Sequence, residues 1–163
     1  MNKDKLQRAK LWKDLYTRSV KSRRAQQLGI DYPRKNFREK LETESINVLF
    51  VCSMNKWRSP TAEKLYSRYS LLYTRSGGTS SKARHPVSLN DIQWADVIIV
   101  MESKHKQRLF ADYPRAMEYK DVHVLEIPDQ YQYMDADLIE ELEWAVDPIL
   151  IDFLPDKSRR QKQ

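Results

Sequence analysis

Three short, largely apolar runs, each separated from the next by helix-length segments, restrict this chain more than any other feature. Val48-Leu49-Phe50-Val51, Val97-Ile98-Ile99-Val100-Met101 and the stretch from Val122 to Ile127 are rich in strand formers and too short for helices. A strand without polar alternation is buried on both faces, the condition of a parallel sheet covered on each side by helices. The intervening segments supply those helices. Pro60 opens a stretch in which Ala62, Leu65, Tyr66, Tyr69 and Leu72 recur at helical spacing, with proline at a first-turn position. Ser88 caps a short helix through Trp94, and Ser103 to Tyr113 is helical and ends at Pro114. Asp135 caps a final helix with Leu138, Leu142, Ala145, Val146 and Ile149 on one face. Thr74 to Ser76 is a further short strand, which Gly77-Gly78 is expected to break. Strands alternating with helices imply an α/β domain with a parallel sheet.

A chain of 163 residues fits one such domain with length to spare. Its formal charge of +6 is unevenly spread. Residues 1–45 hold 13 Lys/Arg against 6 Asp/Glu, and residues 46–163 hold 16 against 17. A nucleic-acid reading of the basicity therefore applies to the extension and not to the body. Residues 1–28 contain no Gly or Pro and place Leu6, Ala9, Leu15, Tyr16 and Val20 near a helical period, with Gly29 as the stop. The expected organisation is a basic helical extension at 1–45, a catalytic body at 46–154 and a basic tail at 155–163. The extension is expected to pack on the body or to self-associate, with nucleic acid or an anionic membrane surface as the other partners a basic amphipathic helix suits. No apolar run approaches the roughly 18 to 20 residues that cross a bilayer, and the lone cysteine excludes an internal disulfide framework. The expectation is a cytoplasmic protein.

That cysteine, Cys52, stands at the carboxyl end of the first strong strand, the edge at which open α/β sheets bind ligands. It begins Cys52-Ser53-Met54-Asn55-Lys56-Trp57-Arg58-Ser59, after which Pro60 starts the helix. A loop of this length, closing on a helix N-terminus, turns backbone N–H groups inward around an anion, and phosphate is the natural guest. Arg58 adds a planar fork that matches two phosphate oxygens. The same donors stabilise negative charge on the Cys52 sulfur, to which Ser59 adds a hydrogen bond. The plain alternative is a small buried hydrophobe at a strand end. The spacing of Cys52 to Arg58 between an apolar strand and a proline-started helix favours a nucleophile beneath an anion site.

Val48 to Tyr66, and above all Cys52 to Glu63, resembles the signature of the low-molecular-weight protein tyrosine phosphatases. Ser76-Gly77-Gly78-Thr79 is similar to that family's Ser-Ala-Gly-Thr segment, and Trp94-Ala95-Asp96 to its strand entrance. Ile127-Pro128-Asp129 and Tyr133-Met134-Asp135 resemble a short bacterial branch, so the likeness spans about 46–153. It implies a four-stranded, flavodoxin-like parallel sheet and a two-step, metal-free phosphatase with a phosphocysteine intermediate. Phosphotyrosine in proteins, or a small phosphomonoester, is the implied substrate. Two departures stand out: Met54 occupies the usual glycine position, which removes backbone freedom, and Trp57 replaces a second cysteine that protects the nucleophile.

Expelling an alkoxide or phenolate from phosphate requires a proton donor within hydrogen-bond reach. Asp129 directly follows the third apolar run and so emerges at the edge that carries Cys52. Gln130 stands where the family has proline, and Tyr131 matches an aromatic of the substrate entrance. Asp147-Pro148 mimics the family's Asp-Pro motif but falls within the last helix, where it reads as a solvent-facing carboxylate. His85, His105 and His123 read as surface or packing residues, and no metal or other cofactor is expected. Trp57 either stacks on a substrate ring or packs against Met54 or Tyr131. Ser53 to Ser59 are thus the phosphate-binding residues, Cys52, Arg58 and Asp129 the catalytic ones. The rival readings are a phosphate-binding module without turnover, a thiol-dependent arsenate reductase, which would need resolving cysteines, and a nucleic-acid-associated protein.

Overall fold

The computed structural model describes residues 45–154, which belong to a compact unit beginning at Ser45. The readings for residues 1–44, including the basic helix, and for the tail from 155 onwards lie outside the described residues. In chain order the elements are β1 (Ile46–Cys52), α1 (Arg58–Ser67), β2 (Leu72–Gly78), α2 (Leu89–Trp94), β3 (Val97–Val100), α3 (Ser103–Asp112), α4 (Pro114–Met117), β4 (Asp121–Val124) and α5 (Ala136–Leu150), followed by a 3-10 turn at Ile151–Phe153.

All strand pairs are parallel, in the order β2-β1-β3-β4. β1 and β3 are central, and their residues from Val48 to Val51 and from Ile98 to Val100 are buried on both sides, which is why those runs lack polar alternation. Successive side chains of β1 serve opposite layers. Leu49 and Val51 join Val87, Ile92, Ile98, Val100, Leu109 and Met117 in a cluster under α2, α3 and α4. Phe50 faces the other way and stacks on Tyr66 of α1, with ring centroids 5.8 Å apart. On that side Tyr66 Oη donates to Asp147 Oδ1 of α5 at 2.5 Å, while Leu138, Leu142, Val146 and Leu150 bury the inner face of α5. The α/β sheet with helices on both faces is thus the observed architecture.

Five local readings change. Of the helical run opened at Pro60, Tyr69 and Leu72 lie beyond α1, which ends at Ser67, and Leu72 begins β2. Gly77 and Gly78 do not break β2 but end it, because the backbone needs their lack of a side chain. A Cβ on Gly78 would lie 2.4 Å from the Ser53 carbonyl oxygen, and one on Gly77 would lie 2.7 Å from Val87 Cγ2. β4 stops at Val124 rather than Ile127, since Glu126 takes a left-handed φ of 57°. Pro114 does end α3, but it also opens a new short helix, α4. Asp147 is not a solvent-facing carboxylate: it is half-buried and receives the Tyr66 hydroxyl.

Candidate active site

The order β2-β1-β3-β4 reverses direction between β1 and β3, and the loop after β1 opens at that switch point. Its carbonyls are turned outward. Cys52 O accepts from Thr79 N, Ser53 O from Ser80 N and Met54 O from Arg84 N, at 2.9 to 3.0 Å. Since a trans peptide sets N–H opposite to C=O, the amides of Ser53, Met54 and Asn55 face the other side. The Asn55 amide shows this directly, donating to Cys52 Sγ at 3.2 Å. The left-handed residue that allows the turn is Asn55, with φ 55°, so the glycine replaced by Met54 is not missed for its backbone freedom.

The buried Asn55 side chain spans the floor of the loop, with Nδ2 donating to Ser59 Oγ and to Ser76 Oγ, each at 2.9 Å. Ser76 in turn donates to Glu63 Oε2 at 2.5 Å. Ser59, already accepting from Asn55, has its proton free for Cys52 Sγ at 2.9 Å or the Gly77 carbonyl at 3.4 Å. The buried thiol therefore lies among hydrogen-bond donors at the mouth of α1.

Arg58 opens α1 and is 2% exposed. Its Nη1 donates to Glu102 Oε1 at 2.5 Å and to the Ile127 carbonyl at 2.9 Å, and its Nε lies 3.6 Å from Asp129 Oδ1. Burial raises the Glu102 carboxyl, but the Arg58 hydrogen bond and charge outweigh it and hold the group below the usual carboxylate range. Glu102 also precedes α3, and its backbone N–H donates to His105 Nδ1 at 3.0 Å. With Nδ1 an acceptor, the ring proton sits on Nε2 and is donated to Ser53 Oγ at 2.8 Å. Burial, and after it the Arg58 charge, push His105 down to about 4, so the ring is neutral near pH 7.

Cys52, Ser53, Asn55, Arg58, Ser59 and Asp129 thus converge, whereas Lys56 and Trp57 lie on the rim with exposed side chains. Tyr131 is half-buried beyond Asp129, accepting from Gln130 Nε2 at 3.1 Å and donating to Glu141 Oε1 at 3.3 Å. Trp57 is 42% exposed. His85 is exposed and paired with Asp91 at 2.9 Å, and His123 is half-buried in β4. His105, read from the sequence as surface or packing, belongs instead to the wall of the loop. Glu102 was also missed, although it follows β3 as directly as Asp129 was expected to follow β4 and could have been found by the same reasoning.

Among solved structures, this fold has clear counterparts. A protein tyrosine phosphatase from Entamoeba histolytica superposes with a TM-score of 0.54 at 24% identity, over 69% of this chain and 99% of that one. The fold is that of the low-molecular-weight protein tyrosine phosphatases. The tyrosine phosphatase Wzb from Escherichia coli, in complex with phosphate, shares this phosphatase fold at a TM-score of 0.51 and 22% identity, covering 62% of this chain and 93% of its own. The YwlE arginine phosphatase, a cysteine-to-serine mutant with a phosphorylated active site serine, follows at 0.50 and 19%, over 71% and 99%. No protein-family model matches the chain, and no curated protein matches it.

Proposed function

We propose that the chain is a cysteine-dependent phosphatase that hydrolyses phosphomonoesters, foremost phosphotyrosine in proteins, through a phosphocysteine intermediate. One observation carries the reading: a buried thiol, contacted by the Asn55 amide and by Ser59, sits at the start of a helix whose first residue is a buried arginine with Asp129 3.6 Å from its Nε. In the first step the Cys52 sulfur forms a bond to phosphorus as the ester oxygen leaves with a proton from Asp129. In the second, Asp129 takes a proton from water, whose oxygen attacks phosphorus and releases the sulfur. Both steps carry charge through the equatorial oxygens, so loop amides and Arg58 serve each. Arg58 Nη1 is committed to Glu102 and Ile127, which leaves Nε and Nη2 as the fork for phosphate.

Trp57 and Tyr131 would border the entrance, and no step calls for a metal. A lone thiol stays reduced in the cytoplasm, where we locate this activity. Among the described residues no helix is long and apolar enough to cross a membrane. The test is hydrolysis of an aryl phosphate, without added metal, by the wild-type chain, Cys52→Ser and Asp129→Ala. Turnover by the wild type, lost in Cys52→Ser and lowered at least tenfold in Asp129→Ala, is the expected result. Vanadate binding without wild-type turnover would replace it with the binding-module reading. Phosphotyrosine and phosphoarginine peptides, assayed side by side, decide the substrate class.

A further inference from the structure

Two hydrogen bonds tie the segment between β4 and α5 to the surroundings of Cys52. Near its start the Ile127 carbonyl accepts from Arg58 Nη1 at 2.9 Å. At its end the Met134 N–H donates to Thr61 Oγ1 at 3.0 Å, and the same hydroxyl donates to the Trp57 carbonyl at 2.6 Å. Thr61 is fully buried in the first turn of α1. Non-glycine residues in the left-handed region bracket the segment, Glu126 with φ 57° and Met134 with φ 61°. Such conformations persist where the surroundings over-determine them. Here Ser103 Oγ, donating to Glu126 Oε1 at 2.6 Å, holds one and Thr61 holds the other. Asp129 lies between them, half exposed, and approaches Arg58 Nε at 3.6 Å. With so little grip on its own carboxylate, its position is set by the backbone on either side.

We infer that Thr61 is a positioning residue for the proton donor: its hydroxyl anchors the far end of the 125–134 segment to the helix that begins at Arg58, and so holds Asp129 over the loop. The inference rests on the phosphatase reading. A hydroxyl is required because one oxygen must accept from Met134 and donate to Trp57 at once. Valine, of the same shape, does neither and leaves the Met134 N–H unpaired, while the Trp57 carbonyl keeps the Thr61 amide at 3.1 Å.

The experiment compares kcat/KM of the wild type, Thr61→Val and Thr61→Ser on an alkyl phosphate and on an activated aryl phosphate, together with vanadate affinity and amide exchange at Met134. Poor leaving groups depend on protonation and activated ones do not. Thr61→Val is expected to lose about tenfold or more on the alkyl ester and less than about threefold on the aryl ester. Vanadate affinity should stay unchanged, Met134 should exchange faster, and Thr61→Ser should restore the alkyl rate. Should valine prevent folding, Thr61→Ala serves as the second hydroxyl-free variant. Equal losses on both esters with weakened vanadate binding would overturn the inference, as would unchanged kinetics. A wild type that turns over neither ester overturns the phosphatase reading instead, and the inference with it.

Discussion

At the residue scale, Arg58 is the most deeply buried charged side chain of the site. It is held in plane by Glu102 and by the Ile127 carbonyl, so its remaining nitrogens are presented in a fixed direction. Arg58→Lys keeps the charge but loses the fork and both anchoring contacts. We expect kcat/KM on an aryl phosphate to fall by at least about a hundredfold, a loss of roughly 2.7 kcal/mol of transition-state stabilisation. Near wild-type kinetics would show that phosphate is clamped elsewhere. His105 carries a different prediction. Its proton affinity in the fold, about 4, lies below the ordinary 6.5, so below pH 6.5 the unfolded chain takes up the proton that the folded one refuses. The stability tied to the neutral ring is complete above pH 6.5 and is lost as pH falls toward 4, up to about 3 kcal/mol. Urea melts of the wild type and His105→Gln at pH 7.5, 5.5 and 4.5 read this directly. The variant should show the shallower decline, and parallel declines would remove His105 as the cause.

At the scale of elements, what was legible in the sequence and what was not separate along a physical line. β1, β3, α1 and α5 declared themselves because burial on two faces or one leaves a periodic trace, and Ser88 announced α2 as its cap, which the structure completes into a capping box with Asp91. The Cys52-to-Arg58 loop was legible because its chemistry lies in consecutive residues. His105, Ser76 and Thr61 were not, since each acts on a residue distant in sequence and leaves no local period, whereas Glu102 was legible from its place after β3 and was passed over. The two glycines were misread for the same reason: they answer to Val87 and Ser53, not to their neighbours in β2. Gly77→Ala should therefore lower stability by about 1 to 3 kcal/mol through overpacking against Val87, and Gly77→Ala with Val87→Ala should recover part of that loss. Denaturant midpoints of the single and double variants check the coupling. Additive effects would mean that Val87 is not what excludes the methyl group.

At the scale of the whole molecule, charge is divided along the chain. Residues 1–45 carry 13 Lys/Arg against 6 Asp/Glu, whereas residues 121–154 hold 10 Asp/Glu and no Lys or Arg. None of the residues given a chemical role lies before Cys52. Deletion of residues 1–45 should accordingly leave kcat/KM within about threefold while lowering the melting temperature or changing the oligomeric state. Sedimentation and thermal melts of the truncated chain test this. Unchanged mass and melting, with salt-sensitive RNA or anionic-vesicle binding lost on truncation, would assign the segment to an external partner. The sheet order has a further consequence. Because the nucleophile loop follows β1, Glu102 follows β3 and Asp129 follows β4, each part of the site is a separate insert at one rim of a buried lattice of strands. Residues 130–133 could then be exchanged as a cassette between Asp129 and the Met134 anchor, altering which leaving groups are accepted while the strands stay untouched.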